Sequence, residues 1–224
     1  PSSGDWQLPF RIWTAIGAGQ ADNNAAVTIG YLIIEKKKLP GNTGMFNLLV
    51  RQKVIQQDFK PPFKDDYHLL EANIRCNDND FATPESWEIS HELWRENEKI
   101  DYCSFTEKGN ITVDSKGVRA RISVNGSEGH VLNFNKGTVI TSDLIIPALL
   151  PKILNNPGLY SKKRFVLLEK LRLRKDNQFI FRNMDDDYLS GNFGSLKKVE
   201  HYGEGKLPYD YWLSEDGCPL FIRS

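Results

Sequence analysis

The feature that most constrains the fold of this chain is a period-two alternation of apolar and polar residues, the pattern of half-buried β-strands. It is clearest where Val118, Ala120 and Ile122 alternate with Arg119 and Arg121. Segments of this kind are AVTIGYLII (26–34), MFNLLVRQKVI (45–55), YHLLEANIRC (67–76), SWEISHELW (86–94), IDYCSF (100–105), VRARISV (118–124), GHVLNF (129–134), NQFIFRN (177–183) and LKKVEHY (196–202). The pattern predicts a chain built mainly of antiparallel strands.

Two turn sequences predict where neighbouring strands are joined. Asn125-Gly126 lies between two alternating runs, and both residues tolerate the positive φ of a type I′ hairpin turn. In the closing stretch LPYDYWLSEDGCPLFIRS, Glu215-Asp216-Gly217 is a second turn signal, with glycine where a left-handed conformation is needed. Alternation puts Tyr209 and Tyr211 on one face of this last hairpin and Trp212 on the other, and core or rim packing is their expected role.

One apolar segment, TSDLIIPALLPKILNNPG (141–158), breaks the strand pattern and predicts a short helix over about 143–155. Ser142 or Asp143 is the expected N-cap. Pro147 is compatible with the first turn of a helix. Pro151 is expected to kink or split the helix, because proline lacks an amide N–H and crowds the preceding turn.

The order of these elements predicts a mainly β fold: a strongly curved antiparallel sheet, as a half-barrel or a sandwich, with one short apolar helix packed on it. Residues 1–224 are expected to form a single mainly-β domain, because no long linker and no repeat of fixed period divides the chain. The 12 Phe, 8 Tyr and 5 Trp residues supply enough apolar surface for a sizeable core.

The charge balance argues against polyanionic partners. The chain has 29 basic and 29 acidic residues, so no net field favours nucleic acid or an anionic membrane. The run Lys36-Lys37-Lys38 is interpreted as the solvated end of a strand. No apolar run is long enough to span a membrane, so we do not expect a membrane-spanning protein. A protein partner is left open.

No motif assigns a cofactor or a metal, and we expect neither. His68, His91, His130 and His201 are scattered over separate segments and form no zinc motif. Cys76, Cys103 and Cys218 lack C-x-x-C spacing; one disulfide with one free thiol and three reduced thiols both fit. The acidic stretch Asp185-Asp186-Asp187 lacks the spacing of a calcium loop and is interpreted as a solvated turn.

Acidic residues beside tryptophans raise an enzymatic alternative. Glu88 and Glu92 lie on the side of their strand opposite Trp87, and aromatic rings beside carboxylates are typical of sugar sites. The alternative is therefore a β-sandwich carbohydrate-active enzyme, a glycoside hydrolase or lyase, that uses Glu88 or Glu92. A half-polar strand of an ordinary antiparallel sheet has the same pattern, so no catalytic residue is assigned and a non-catalytic protein is preferred.

Two segments carry a resemblance to known proteins: VITSDLIIPALLPKI (139–153) and the closing YGEGKLPYDYWLSEDGCPLFI (202–222). Together they resemble β-rich secreted bacterial proteins and, in outline, periplasmic proteins with a LolA/LolB-like architecture. The resemblance implies a curved sheet wrapped around an apolar helix, an envelope or extracellular location and a hydrophobic ligand. It covers about the last third of the chain and transfers no site residue.

The function expected from these observations is non-catalytic binding of a hydrophobic small molecule or a glycan, in the periplasm or outside the cell. The chain begins with Pro1 and not with Met, which fits a processed, exported protein. A structural or interaction module of a cell-surface assembly is a further alternative. The residues expected to contact a ligand are Trp87, Trp94, Tyr211, Trp212, Ile145 and Leu149.

Overall fold

The structure, a computed structural model, describes residues 4–15, 26–41, 44–55, 66–169, 172–182, 196–203 and 208–223. Its strands are β1 (Trp6–Ala15), β2 (Ala26–Lys38), β3 (Met45–Ile55), β4 (Tyr67–Asn77), β5 (Pro84–Arg95), β6 (Glu98–Lys99), β7 (Phe105–Val113), β8 (Val118–Val124), β9 (His130–Phe134), β10 (Ile140–Ser142), β11 (Phe165–Glu169), β12 (Arg172–Arg182), β13 (Lys197–Tyr202), β14 (Tyr209–Leu213) and β15 (Pro219–Arg223). The helices are α1 (Ile146–Asn155) and α2 (Pro157–Tyr160), and a 3-10 turn spans Asp101–Cys103. The predicted mainly β fold is confirmed. The predicted strand at 100–105 is wrong over residues 100–104, which include the 3-10 turn Asp101–Cys103 and precede the start of β7 at Phe105.

The strands form two sheets. The first is antiparallel, curls into a half-barrel and has the order β1-β2-β3-β4-β5-β7-β8-β9, with β6 paired to β5. The second has the order β10-β11-β12-β13-β14-β15; β10 and β11 are parallel and the other pairs are antiparallel. Asn125 and Gly126 both have positive φ in the connection between the antiparallel strands β8 and β9, so the predicted hairpin is confirmed.

Helix α1 supplies a buried apolar surface to the same core as the half-barrel. Its buried residues are Ile146, Pro147, Leu149, Leu150, Pro151 and Ile153. The predicted N-cap is wrong: the helix begins after Ile145, and no side chain caps it. Ser142 and Asp143 instead accept hydrogen bonds from the Leu144 amide, at 3.3 Å and 2.9 Å, in a turn that precedes the helix.

Pro151 was predicted to kink or split the helix, but the helix is not split there. It lies inside α1, which continues to Asn155, while Pro147 occupies the first turn. The turn of the last hairpin covers this part of the helix. Gly217, with φ +82°, lies so close that an added Cβ would be 2.9 Å from the Pro151 Cα. Tertiary packing therefore holds a segment that helix propensity alone would interrupt.

Polar contacts attach both helices to the connection between β4 and β5. The Lys152 ammonium donates to Asp78 Oδ1 at 2.6 Å and to the Asn79 carbonyl at 3.2 Å. The buried Tyr160 hydroxyl donates to the Asp80 carbonyl at 2.5 Å. These contacts hold the helices at the C-terminal end of β4. At ~3.3 Å per strand residue, this end is about 30 Å from His68, which lies near the start of the strand.

The lysine run at the end of β2 is solvated only in part. Lys37 and Lys38 are exposed, as predicted, but Lys36 is 5% exposed, and its ammonium lies 4.3 Å from the centre of the Phe46 ring. Burial lowers the pKa of Lys36, and the nearby Asp78 carboxylate partly offsets that effect. The prediction was wrong for Lys36 because its side chain points to the inner face of the sheet.

In the described ranges, neither helix has the length and apolar character needed to span a bilayer.

Candidate ligand-binding site

Side chains on the inner face of the half-barrel form cross-strand rows, and burial falls from row to row toward one end. The deepest rows are fully buried and contain Leu48, Ile74, Trp87 and Ile122, then Ile34, Val50, Ala72, Ile89 and Glu107. The next two rows are partly exposed except at Leu70, which is buried. They contain Phe10, Leu32, Gln52, Leu70, His91 and Phe105, then Ile12, Gly30, Val54, His68 and Leu93. The half-barrel is therefore filled at one end and open at the other.

A cavity of about 410 Å³ lies at this open end, which we call the mouth. Its lining residues are Gln52, Val54, His68, Leu70, His91 and Phe105 on the inner face, together with Cys103 and with Leu69 and Glu92, which alternation assigns to the other face of the same strands. Four strands contribute to it, and Cys103 comes from the 3-10 turn that leads into β7. The volume is within the range of roughly 300–1,000 Å³ that small-molecule sites occupy.

The mouth combines an apolar wall with a few polar groups. Val54, Leu70 and Phe105 present aliphatic and aromatic surface, and the Phe105 ring stacks on His91 with centroids 4.4 Å apart. Gln52 and His68 lie on neighbouring rows of the same face. Such a surface can pack against an apolar body while amide and imidazole groups orient a polar end.

Trp87 lies deeper than the mouth, in the buried core. It is paired with Gly109 on β7, and an added Cβ there would lie 2.1 Å from the indole, so only glycine leaves room for this ring. The indole N–H donates to Glu107 Oε1 at 2.6 Å. Glu107 Oε2 is buried without a hydrogen-bond partner, and burial raises the pKa of this carboxyl. Trp87 thus acts as a core residue that satisfies half of a buried carboxyl group.

Trp94 lies on the opposite, convex face of the sheet. Its ring stacks on Tyr67 with centroids 5.9 Å apart and planes 9° apart, and its indole N–H donates to Glu92 Oε2 at 3.0 Å. The Lys53 ammonium lies 3.7 Å from the centre of the Tyr67 ring. We call Lys53, Tyr67, Glu92 and Trp94 the convex patch. It is half-buried and carries both charge signs.

Glu88 and Glu92 both point to the convex face, but each is held by a lysine. Glu88 pairs with Lys108 at 2.9 Å and Glu92 with Lys99 at 2.7 Å. The hydrogen bond from Lys99 lowers the pKa of Glu92. A glycosidase general acid needs the opposite, a raised pKa, so the geometry at Glu92 does not favour the acid role.

The structure does not bring the six predicted ligand contacts together. Ile145 and Leu149 are fully buried in the helical core, and Tyr211 and Trp212 are buried in the last hairpin. Trp87 is buried on the inner face of the half-barrel, whereas Trp94 is half-buried on the convex face. Whether any of them contacts a ligand stays a prediction, but no single pocket joins them among the described residues.

Sequence reasoning missed the mouth residues Gln52, His68 and Phe105. Alternation alone puts Gln52 on the face of Val50 and Val54, and His68 on the face of Leu70. Their convergence depends on the register of four strands, in which Gln52 pairs with Leu70 and His91 with Phe105. No local sequence signal fixes such a long-range register.

Other chemical features of the described residues do not add a second site. No three His, Cys, Asp or Glu side chains in the described ranges converge to hold a metal ion. Cys76, Cys103 and Cys218 are free thiols. Asp185-Asp186-Asp187 lies outside the described residues. A shallow cavity of about 420 Å³ between α2 and β12 is lined by no titratable side chain.

Comparisons with known proteins inform the fold and not the site. No protein-family model matches the chain, and no curated protein matches its sequence significantly. The fold is similar to the crystal structure of a β-barrel-like protein of the domain of unknown function DUF1849 from Brucella abortus, with a TM-score of 0.50. The match covers 88% of this chain and 82% of that one at 9% sequence identity. The likeness therefore supports a β-rich, barrel-like architecture and nothing finer.

Proposed function

We propose that this protein is a non-catalytic binding protein that takes up a small amphiphilic molecule at the mouth of the half-barrel. The observation that carries the proposal is the gradient of burial along the inner rows. The row that contains Lys36 and the row that contains Glu107 are buried. The rows that contain Gln52 and His68 instead border a cavity of about 410 Å³. A concave, partly apolar cavity with a few convergent polar groups is the usual place for such a ligand.

The lining residues indicate the chemistry of the ligand. An aliphatic or aromatic body would pack on Val54, Leu70 and Phe105. Each Å² of apolar surface that this removes from water contributes about 25 cal/mol to the binding free energy. A polar end would hydrogen-bond to the Gln52 amide or to the His68 and His91 imidazoles. The ligand is thus a hydrophobic small molecule with at least one hydrogen-bonding group, consistent with the predicted ligand class.

The proposed location is the periplasm or the extracellular space. The proposal rests on the resemblance of 139–153 and 202–222 to exported bacterial proteins with a LolA/LolB-like architecture. The cysteines lend it no support, because all three are free thiols and none forms a disulfide. Fractionation of cells that express the full-length protein tests the location independently of any ligand.

The binding proposal is tested with anilinonaphthalene sulfonate, an amphiphilic fluorescent probe. The native protein is expected to bind it saturably, measured by a fluorescence titration. Gln52→Trp fills the mouth with a large ring and is expected to weaken binding at least about tenfold, a loss of ~1.4 kcal/mol. Arg51→Trp, the adjacent residue on the exposed convex face, is the matched control and is expected to bind like the native chain.

The competing outcomes are distinct. No saturable binding by the native protein, or equal binding by the two tryptophan variants, would contradict the mouth as the site. One observation favours a glycan as a second candidate: the stacked Tyr67–Trp94 pair beside the Glu92 acceptor on the convex patch. Binding of soluble polysaccharide that Trp94→Ala abolishes and Gln52→Trp leaves unchanged would assign that role to the convex patch.

A further inference from the structure

Strand β9 is an edge strand that lacks the features by which edges normally resist pairing. Within the described residues its sheet partner is β8, so its other side presents free backbone groups. Residues 130–133 are exposed, and Val131 and Leu132 retain 41% and 37% of their accessible surface. The strand sequence HVLNF contains no proline, lysine, arginine or acidic residue. Exposed edges of this kind are templates for an added strand.

The other sheet edges in the described ranges are protected. β1 carries Pro9 and Arg11 along its length. β15 begins with Pro219 and ends with Arg223, which pairs with Asp210. β10 has three residues, all of them buried. Proline, charge and shortness are the devices that keep edges from pairing, and β9 alone among these edges has none of them.

The residues on either side of β9 give the edge a charge pattern that fits its own copy. If two β9 strands pair antiparallel about a two-fold axis at Leu132, Leu132 lies opposite Leu132 and His130 opposite Phe134. Glu128 lies two residues before β9 and Lys136 two residues after it, so the two-fold axis brings Glu128 of one copy toward Lys136 of the other at each end of the strand pair. Glu128 and Lys136 are both exposed. Opposite charges directly across a strand pair stabilise it, and like charges destabilise it.

We infer that β9 is a self-association edge, on which a second copy of this chain pairs through β9 about a two-fold axis at Leu132. The pairing would join two half-barrel sheets into one continuous sheet, an isologous interface in which the same patch is used on both copies. It leaves the mouth free, because the mouth is built by β3, β4, β5 and β7. The inference is therefore independent of the proposed function.

Charge exchange tests the inference, with sedimentation velocity over a concentration series as the measurement. The native chain is expected to show a reversible monomer–dimer equilibrium. Glu128→Lys or Lys136→Glu is expected to weaken dimerisation about tenfold, because the charges that meet at both ends of the strand pair become repulsive. The double variant Glu128→Lys with Lys136→Glu restores the pairs and dimerises like the native chain. A mixture of the two single variants is expected to form heterodimers.

Matched controls carry the same charge changes at exposed positions away from the edge: Glu215→Lys and Lys163→Glu. Both are expected to dimerise like the native chain, and circular dichroism checks that every variant is folded. A native chain that is monomeric at all concentrations would overturn the inference. So would a dimer that responds equally to the edge variants and to the controls, or one that the double variant does not restore.

Discussion

At the scale of single residues, Glu107 has the least ordinary environment. Its carboxyl is buried among apolar rows, one oxygen accepts from Trp87 at 2.6 Å, and the other has no partner. Glu107 also borders a cavity of about 10 Å³ between the two sheets, near the smallest size that holds one water. Burial, with a smaller contribution from Asp143, raises the pKa of Glu107. The fold thus favours the protonated form of this residue.

That shift makes stability depend on pH in a definite direction. Because the folded pKa of Glu107 is above the unfolded value of 4.5, its contribution to stability is complete below about pH 4.5 and is lost as the pH rises through the folded value. Glu107→Gln cannot ionise and keeps an acceptor for Trp87. Urea unfolding from about pH 5 to about pH 8 should show the native chain losing stability relative to this variant.

The control for this measurement is Glu96→Gln, at an exposed position in the β5–β6 turn, whose pH profile should follow that of the native chain. Parallel profiles for Glu107→Gln and the native protein would mean that the carboxyl does not titrate differently in the folded state. Sequence could not single out Glu107, because Glu107 and Gly109 interrupt the apolar face of β7 (FTEKGNITV), so alternation does not show that this face is buried. Lys36 was misassigned for a related reason, because both faces of β2 carry apolar residues.

At the scale of elements, α1 contributes its apolar face to the core that it shares with the half-barrel. Leu149 was predicted as a ligand contact, yet it is fully buried, so its truncation should act on stability. Leu149→Ala is expected to lower the free energy of unfolding by about 2–5 kcal/mol, the usual cost of a cavity at a buried leucine. Denaturant unfolding measures it. Asn155→Ala, exposed at the end of the same helix, should change stability by less than about 0.5 kcal/mol.

If Leu149→Ala weakened probe binding without lowering stability, the residue would be a ligand contact after all, as the sequence suggested. The helix also marks how far sequence reasoning extends for an element. Its position and apolar character were predictable from residues 141–158. Its start at Ile146 and its continuity through Pro151 were not, because both depend on what packs against it, including the Gly217 turn.

At the scale of the whole molecule, the mainly β fold was predictable because nearly every strand carries its own alternation, and the Asn125-Gly126 and Gly217 turns are local signals. The division into two sheets and the position of the mouth were not. Gln52, Leu70, His91 and Phe105 meet only because four strands are held in one register. Such contacts between distant segments leave no local trace in a sequence.

The reactivity of the three cysteine thiols can be used to measure the free energy of global unfolding. Burial raises the pKa of Cys76 and, less completely, that of Cys218, whereas Cys103 is exposed. Since the thiolate is the reactive form, a maleimide should label Cys103 at once and Cys76 only on unfolding. Mass spectrometry after timed labelling in increasing urea measures it, and the free energy of opening at Cys76 should equal that of global unfolding.

Labelling of Cys76 at a rate independent of urea would mean that the buried end of the half-barrel opens locally. The helices would then be less firmly held than their contacts with Asp78 and Asp80 indicate. Cys103 serves as the internal standard, because its labelling should not change with urea below the unfolding transition.

The ordered rows of the half-barrel have a consequence for selectivity. Inward side chains recur every second residue, so successive rows are spaced by about 7 Å along each strand. Bulk removed from the sealed row of Val50, Ala72 and Ile89 would lower the floor by one such step, and bulk added at the row of Gln52 would raise it. The depth of the cavity, and with it the length of the ligand that fits, would then change in steps of one row, because the pleat of the strands sets the row spacing.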